Sequence, residues 1–172
     1  MPLIPTKELL ERALAGGYAV GYFESWNLES LQGAIDAAEM TRSPTLIGFN
    51  GESLSHPGRL AKERISWYGA LGQAAAESAS VPCALIFNEC AQDDWIRRAA
   101  VSGFSQVMLD DPQAPRADYV RRLKELTAYA HTQGVAMEAE AGQLPFGATG
   151  AIGQDGASLT DPAAAGRLVR DT

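Results

Sequence analysis

The stretch Cys83-Ala-Leu-Ile-Phe-Asn-Glu-Cys90 is an apolar run that follows a Val-Pro pair and ends in an amide, a carboxylate and a thiol. A short apolar run bounded in this way is typical of a strand in a parallel sheet that is buried on both faces. We therefore predict a strand over residues 83–88. The polar side chains of Asn88 and Glu89 at its end call for a separate explanation.

Segments of strand length alternate with amphipathic segments of helix length along the rest of the chain, which predicts successive β/α units. Thr6 is expected to cap the first helix and Gly16-Gly17 to end it, while Asp161-Pro162 opens the last helix. A Gly-rich loop covers 142–158. The predicted strands cover residues 18–23, 45–49, 83–88, 105–109 and 135–140, and the predicted helices cover residues 7–15, 28–40, 60–78, 93–102, 117–133 and 162–171.

Composition narrows the class of protein. The chain has 172 residues, 46% of them hydrophobic, which suits a single domain over 1–172. A net charge of -7 argues against a nucleic-acid partner. The sequence shows neither a signal peptide nor a membrane-spanning run, so we expect a cytoplasmic protein. Cys83 and Cys90 lack the spacing of a metal clamp and are predicted to be reduced and without a role.

Five β/α units fit either an open doubly wound sheet or part of a (β/α)8 barrel. The strand ends favour the barrel because they are acidic, and a barrel gathers the carboxyl ends of its strands on one rim. A dinucleotide-binding sheet would require a GxGxxG motif after the first strand, and this sequence has no such motif there. The residues at the strand ends are Glu24, Asn88, Glu89, Asp110, Asp111, Glu138 and Glu140.

The acidic strand ends predict a metal site. Glu89, Asp110 and Glu140 could together hold a hard divalent cation, because unpaired carboxylates this close repel one another or take up protons. Glu138 and Glu140 are two residues apart in one strand and therefore point to the same side. The structural alternative is that these residues cap the following helices or pair with nearby arginines.

Beyond these patterns, the sequence resembles the class II ketose-bisphosphate aldolases along nearly its whole length. The resemblance implies a (β/α)8 TIM barrel of which this chain supplies about the first five units, and a zinc-dependent lyase that acts on sugar bisphosphates. It is carried by the opening MPLIPTKELL, GYAVGYF from Gly17, AAE from Ala37 with Ser43-Pro44, SVP from Ser80, GFSQVMLD from Gly103, AHTQGV from Ala130, EAEAG from Glu138 and TDP from Thr160.

Two departures from the family pattern lie in the stretch quoted first. Family members end the third strand in His-Leu-Asp-His-Gly, in which the Asp moves a proton and the second His binds zinc. Asn88 and Glu89 occupy those two positions here. An amide cannot act as a general base, and exchanging imidazole for carboxylate shifts the metal preference from zinc toward magnesium or manganese.

The resemblance extends to other site residues. Asp110 and Glu140 match acidic family positions beside the metal, whereas Glu24 replaces a family Asn. We assign catalytic roles to Asn88 and Glu140 and metal ligation to Glu89, Asp110 and Glu140. Substrate contact is predicted for Glu24, Asn27 and Glu138. The two histidines, His56 and His131, are expected to be structural.

Three hypotheses follow. The chain is the first portion of an aldolase-like lyase with altered or lost activity, a non-catalytic protein that binds a sugar phosphate, or a half-barrel module that pairs with another copy. Open strand edges favour a homo-oligomer. In a lone copy, the side chains predicted to face the inside of the barrel, such as Val20, Ile47 and Ile86, would be partly exposed to solvent.

Overall fold

Five short apolar segments form one parallel sheet whose strands lie in chain order, β1 to β5. The computed structural model describes residues 2–141 and 160–172, so the predicted Gly-rich loop lies outside the described residues. The strands are β1 Gly21–Glu24, β2 Thr45–Asn50, β3 Cys83–Cys90, β4 Gln106–Leu109 and β5 Ala136–Ala139, and the helices are α1 Thr6–Gly16, α2 Leu28–Thr41, α3 Gly51–Ser55, α4 Ile65–Ser78, α5 Asp93–Ala100, α6 Arg116–Thr132 and α7 Pro162–Asp171.

The strand order decides between the two predicted architectures. A doubly wound sheet reverses its strand order at a switch point, whereas successive units of a barrel add neighbours in one direction. Each strand here pairs with the next one along the chain, and no reversal occurs among the described strands. The sheet is therefore built in the manner of a barrel.

The outer face of the sheet carries the main hydrophobic core. Alternation along β3 directs Leu85 and Phe87 to this face, where they pack with helix residues such as Ile96 and Leu126. Phe87 stacks on the ring of Trp95 at 6.5 Å between centroids. The helices α2, α4, α5 and α6 all contribute buried side chains, so this face is closed to water.

The inner face has a much smaller apolar patch. Leu46, Ala84 and Ile86 form a cluster with Ile4 and Leu9, which come from the N-terminal segment and α1. The segment before α1 is tied to β3 by a hydrogen bond of 2.9 Å from the Ile4 amide to the Cys83 carbonyl. Helix α1 therefore covers the inner face at the amino end of the strands.

Most predicted elements are confirmed, with ends that differ by one or two residues. The first strand begins later than predicted, at Gly21 instead of residue 18. The predicted helix over 60–78 was wrong in its first turn, because α4 begins at Ile65, and the short helix α3 was not predicted. Gly17 ends α1 in the left-handed conformation (φ 67°), and Asp161 caps α7, both as predicted.

Two further expectations were wrong. Thr6 does not cap α1. Its side chain is buried, and its Oγ1 lies 2.9 Å from the Oγ of Ser105, the residue before β4. Ile47 and Ile86 are fully buried instead of partly exposed to water, whereas Val20 is only partly buried, as predicted. Ile47 faces the helices, and Ile86 is covered by the packing of α1. None of the helices in the described part of the chain is both long and apolar enough to cross a bilayer.

Candidate active site

Polar side chains on the inner face gather at the carboxyl ends of the strands. Parallel register aligns Asn50 with Asn88 and Met108 with Glu138, so the strand ends share one edge. The five strands that the structure describes contain no Lys, Arg or His. This edge is therefore rich in negative charge, and we call its acidic residues the carboxylate rim: Glu24, Glu89, Asp110, Glu138 and Glu140.

Asn50 connects two members of the carboxylate rim. Its Nδ2 donates to Glu24 Oε2 at 3.1 Å and to Glu89 Oε2 at 2.8 Å. Its Oδ1 accepts a hydrogen bond of 2.8 Å from the Ser53 amide and thereby caps α3. A single buried carboxamide thus fixes two carboxylates and the start of a helix.

Glu89 lies at an irregularity in β3. Its backbone has φ 50°, a left-handed conformation that non-glycine residues seldom adopt. The pairing of β3 with β4 shifts register between Phe87 and Cys90, so Cys90 returns to the outer core while Glu89 stays at the rim. Burial and the charge of Glu24 raise the pKa of the Glu89 carboxyl, and the hydrogen bond from Asn50 opposes that rise.

Asp110 and Glu140 line a cavity of about 180 Å³ beside the ends of β4 and β5. Burial, followed by the charges of Glu52 and Asp111, raises the pKa of Asp110. The pKa of Glu140 is raised by burial and then by the charges of Asp110, Glu89 and Glu138. The three predicted metal ligands are thus close enough to repel one another. The cavity is lined by Asp110, Asp111, Pro112, Ala114, Arg116, Tyr119, Glu140 and Ala141.

Asp111 has a different environment from its neighbour Asp110. Its Oδ2 accepts a hydrogen bond of 2.6 Å from Arg122, which also forms an ion pair of 2.7 Å with Asp93 at the start of α5. Arg122 is largely buried, with 13% of its side chain exposed. Asp111 therefore has the structural role that the sequence also allowed: it is an acidic residue at a strand end that pairs with an arginine.

The predicted substrate-binding residues separate into two groups. Glu24 and Glu138 belong to the carboxylate rim, and Glu138 Oε2 accepts a hydrogen bond from Gln106 Nε2. Asn27 instead caps α2, because its Oδ1 accepts a hydrogen bond of 2.8 Å from the Ser30 amide in a capping box. The Asn27 carboxamide is thus committed to the helix, and its contact with a substrate stays a prediction.

Three polar residues of the inner face were not predicted from the sequence: Tyr22, Asn50 and Gln106. The Tyr22 hydroxyl donates to Glu24 Oε2 at 3.3 Å, and burial followed by the charge of Glu24 raises its pKa. Each of the three lies in a strand at a position where the alternation directs the side chain inward. The signal was therefore present in the sequence, in the same period-2 pattern that identified Glu138 and Glu140.

The family resemblance implies a zinc ion, which would need a group of suitable ligands near the carboxylate rim. Within residues 2–141 and 160–172, no three His, Cys, Asp or Glu side chains are grouped so that they could hold a metal ion. The rim offers oxygen ligands, and the histidines lie elsewhere, with His131 in the last turn of α6 and His56 just after α3. These residues, as they are placed, do not fit a zinc centre.

Comparison with known proteins supports the resemblance noted from the motifs. The chain is 31% identical over its 172 residues to a fructose-bisphosphate aldolase of Geobacillus stearothermophilus and spans 58% of the length of that relative. Among solved structures, a putative fructose-1,6-bisphosphate aldolase from Coccidioides immitis matches 97% of this chain, with a TM-score of 0.78 and 28% identity, over 57% of its own length.

A second solved structure, the YdjI aldolase of Escherichia coli K12, matches 99% of the chain and 61% of its own length, with a TM-score of 0.77 and 26% identity. The fold is accordingly that of the aldolase TIM barrels, of which the described strands form a contiguous part. The family model described as fructose-bisphosphate aldolase class-II matches residues 4–172. This chain therefore belongs to the class-II fructose-bisphosphate aldolase family.

Proposed function

We propose that this chain forms part of an aldolase-like barrel of carbohydrate metabolism in which the cleavage of ketose bisphosphates is lost or altered. The observation that carries the proposal is the presence of a buried amide, Asn88, at this point of the inner face. Asn88 is 6% exposed and lies on the inner face at the end of β3, at the position where the family keeps its proton-moving Asp. An amide nitrogen has no basic lone pair near neutral pH, so Asn88 cannot accept the proton.

Most polar side chains at this edge can supply contacts to a sugar, and one of them, Glu140, is suited to move a proton. Asn88 can hydrogen-bond to a hydroxyl or carbonyl oxygen, and Glu24 and Glu138 can accept hydrogen bonds from sugar hydroxyls. Glu140, whose pKa is raised by burial and by its acidic neighbours, is the candidate to hold or release a proton. We assign catalytic roles to Asn88 and Glu140 on this basis, with a sugar phosphate as the proposed ligand.

A coupled assay for fructose 1,6-bisphosphate cleavage tests the proposal. Residues 1–172 would be joined to the complementary part of the Geobacillus stearothermophilus aldolase, so that all eight strands are present. We expect negligible turnover from this chimaera and measurable cleavage after Asn88→Asp combined with Glu89→His. Turnover in the ordinary enzyme range, on the order of 1 to 1000 per second, by the unmodified chimaera would refute the proposal.

Divalent-cation binding is a separate part of the proposal, and no catalytic step depends on it. Glu89, Asp110 and Glu140 repel one another, and a cation drawing them together would relieve that repulsion. We expect weak binding that prefers magnesium or manganese over zinc. Calorimetric titration should show the heat of binding reduced by Glu89→Gln. Equal heats for the two proteins, or a clear preference for zinc, would contradict this expectation.

A second candidate is an oligomeric module without catalysis. It is favoured by three large apolar side chains at and after the edge strand β1: Phe23, Trp26 and Leu28 are 54%, 63% and 58% exposed. An exposed apolar strand edge recruits another chain. Light scattering of the 172-residue polypeptide would give a dimer or larger species if this candidate is correct. A monomer that binds no hydrophobic dye would exclude it.

A further inference from the structure

The inner face of the sheet has more hydrogen-bond acceptors than donors. The donor side chains of its strands already bond to carboxylates: Tyr22 donates to Glu24, Asn50 to Glu24 and Glu89, Asn88 to Glu89, and Gln106 to Glu138. No side chain of the five described strands carries a positive charge. A ligand at this face must therefore bring its own donors or its own positive charge.

Gln106 provides a second, independent sign of a missing donor. The residue is 6% exposed, and its Oε1 is buried without a hydrogen-bond partner among the residues that the structure describes. A buried acceptor without a partner is destabilising, and native proteins seldom retain one without a ligand or water to satisfy it. The other atom of the same amide, Nε2, donates to Glu138, so the unsatisfied oxygen lies beside the Glu138 carboxylate.

We propose that the inner face binds a small polyhydroxylated ligand through a primary ammonium group, which donates to Gln106 Oε1 and to the Glu138 carboxylate. Glu138 is an exposed residue whose carboxyl is partly buried, as its raised pKa shows, so a ligand can reach the carboxylate from the solvent side. The last side-chain torsion of glutamine is soft, so a small rotation of the whole amide can open Oε1 to the ligand while Nε2 stays within reach of the Glu138 carboxylate. This inference rests on the proposed function, because it places the ligand at the same face.

An ammonium group fits the arrangement better than a metal ion does. A metal needs several ligand atoms within about 2.0–2.6 Å, and Gln106 and Glu138 belong to no such group in the described ranges 2–141 and 160–172. An ammonium group has three donors that reach acceptors at ordinary hydrogen-bond lengths, so it tolerates more widely spaced oxygens. Charge-assisted hydrogen bonds of this kind are roughly twice as strong as neutral ones, which favours an amine over a hydroxyl at the same place.

The test compares two probes that differ at one group: 1-amino-1-deoxysorbitol and sorbitol. In a calorimetric titration of the 172-residue chain at neutral pH, we expect the amine to bind at least about ten-fold more tightly than sorbitol. Glu138→Gln, which keeps the shape of the side chain, should abolish this preference. Gln106→Leu should weaken amine binding by a smaller factor. The control is Glu29→Gln, which removes the same charge from an exposed position in α2 and should keep the preference.

Each contrary outcome overturns the inference. Equal affinities for the two probes, or no binding of the amine, would show that no ammonium site exists. A preference that survives Glu138→Gln would show general attraction to an acidic protein instead of a defined site. Titration with fructose 1,6-bisphosphate separates this failure from failure of the proposed function: binding of the bisphosphate without preference for the amine contradicts only the ammonium site.

Discussion

The two faces of the sheet differ in kind, although they are made by the same strands. On the outer face, the side chains of β2 to β5 enter a continuous apolar core that four helices close. On the inner face, a small apolar cluster under α1 gives way toward the carboxyl edge to amides and carboxylates. In β3, Leu85 and Phe87 face outward, while Ile86 and Asn88 face inward. Alternation along one strand thus separates packing from chemistry.

This difference indicates that the outer face supplies most of the stability, whereas the rim, where we propose that a ligand binds, contributes little packing. A substitution on the outer face removes buried apolar contacts, whereas one at the rim changes charge and hydrogen bonding with little loss of packing. The free energy of unfolding should therefore respond most to the outer face. Substitutions ordered by their expected effect can test whether the separation holds.

The largest effect is expected for Phe87→Ala. Phe87 is fully buried, stacks on Trp95 and meets Phe104 edge to face at 5.6 Å. Removing such a ring from a core lowers the free energy of unfolding by about 3–5 kcal/mol. Urea denaturation would measure it. The matched control is Phe23→Ala, a ring that is 54% exposed on the edge strand, which should change stability by less than about 1 kcal/mol. Similar losses for both variants would contradict the prediction.

Leu9→Ala should have the second largest effect, because it tests the inner apolar patch. Leu9 is fully buried against Leu46 and Ile86, where α1 covers the inner face. We expect a loss of about 2–4 kcal/mol in the free energy of unfolding, together with stronger binding of a hydrophobic dye as α1 loosens. Leu14→Ala in the same helix is the control, since Leu14 is 85% exposed. Unchanged dye binding in the Leu9 variant would show that α1 does not protect the inner face.

Asn50→Ala comes third and addresses the rim itself. The substitution removes the cap of α3 and leaves Glu24 and Glu89 without the amide that they share. We expect a loss of about 1–3 kcal/mol. Asn27→Ala removes a helix cap without disturbing the carboxylate rim, and it should cost about 1 kcal/mol. If the two losses are equal in urea denaturation, the shared amide contributes nothing beyond capping.

Much of this fold could be predicted because outer-face packing leaves a strong pattern in the sequence. Apolar runs marked the strands. Helical spacing places Leu31, Ala34, Ile35 and Ala38 on one face of α2. In the structure three of these four are buried, and Ala34 is partly buried against the same core. The errors occurred where a side chain has a non-local partner. Thr6 has the residue type of a helix cap but bonds to Ser105, 99 residues away. Local patterns carry no information about such a partner.

The rim was predictable in composition but not in detail. The sequence identified the carboxylates because acidic residues follow apolar strands, and parallel topology brings them to one edge. The shared amide of Asn50 and the left-handed backbone of Glu89 could not be predicted, because both depend on how neighbouring strands are placed in register. Asp111 was grouped with the other acidic strand ends, yet its carboxylate forms an ion pair with Arg122, a residue in α6.

The smallest effect, and the one that belongs to the rim alone, is the pH dependence produced by Glu89. Burial and the charge of Glu24 raise the pKa of its carboxyl in the folded chain above the ordinary value of 4.5. The folded state therefore holds the proton more tightly than the unfolded state. This stabilisation is fully present below about pH 4.5 and is lost as the pH rises through the folded pKa.

Glu89→Gln removes the titration while keeping an oxygen that can accept the hydrogen bond from Asn50. We expect the free energy of unfolding of the variant, relative to that of the parent, to increase as the pH rises from 4.5 toward neutrality. Urea denaturation at closely spaced pH values would measure the difference, with Glu29→Gln at an exposed position of α2 as the matched control. A relative stability that falls over this interval would mean that the amide of Asn50 stabilises the ionised carboxylate more than burial and Glu24 destabilise it. In that case the rim would hold Glu89 as a preorganised anion. The carboxylates of the inner face would then not destabilise the folded chain, and the expected electrostatic difference between the two faces would be wrong.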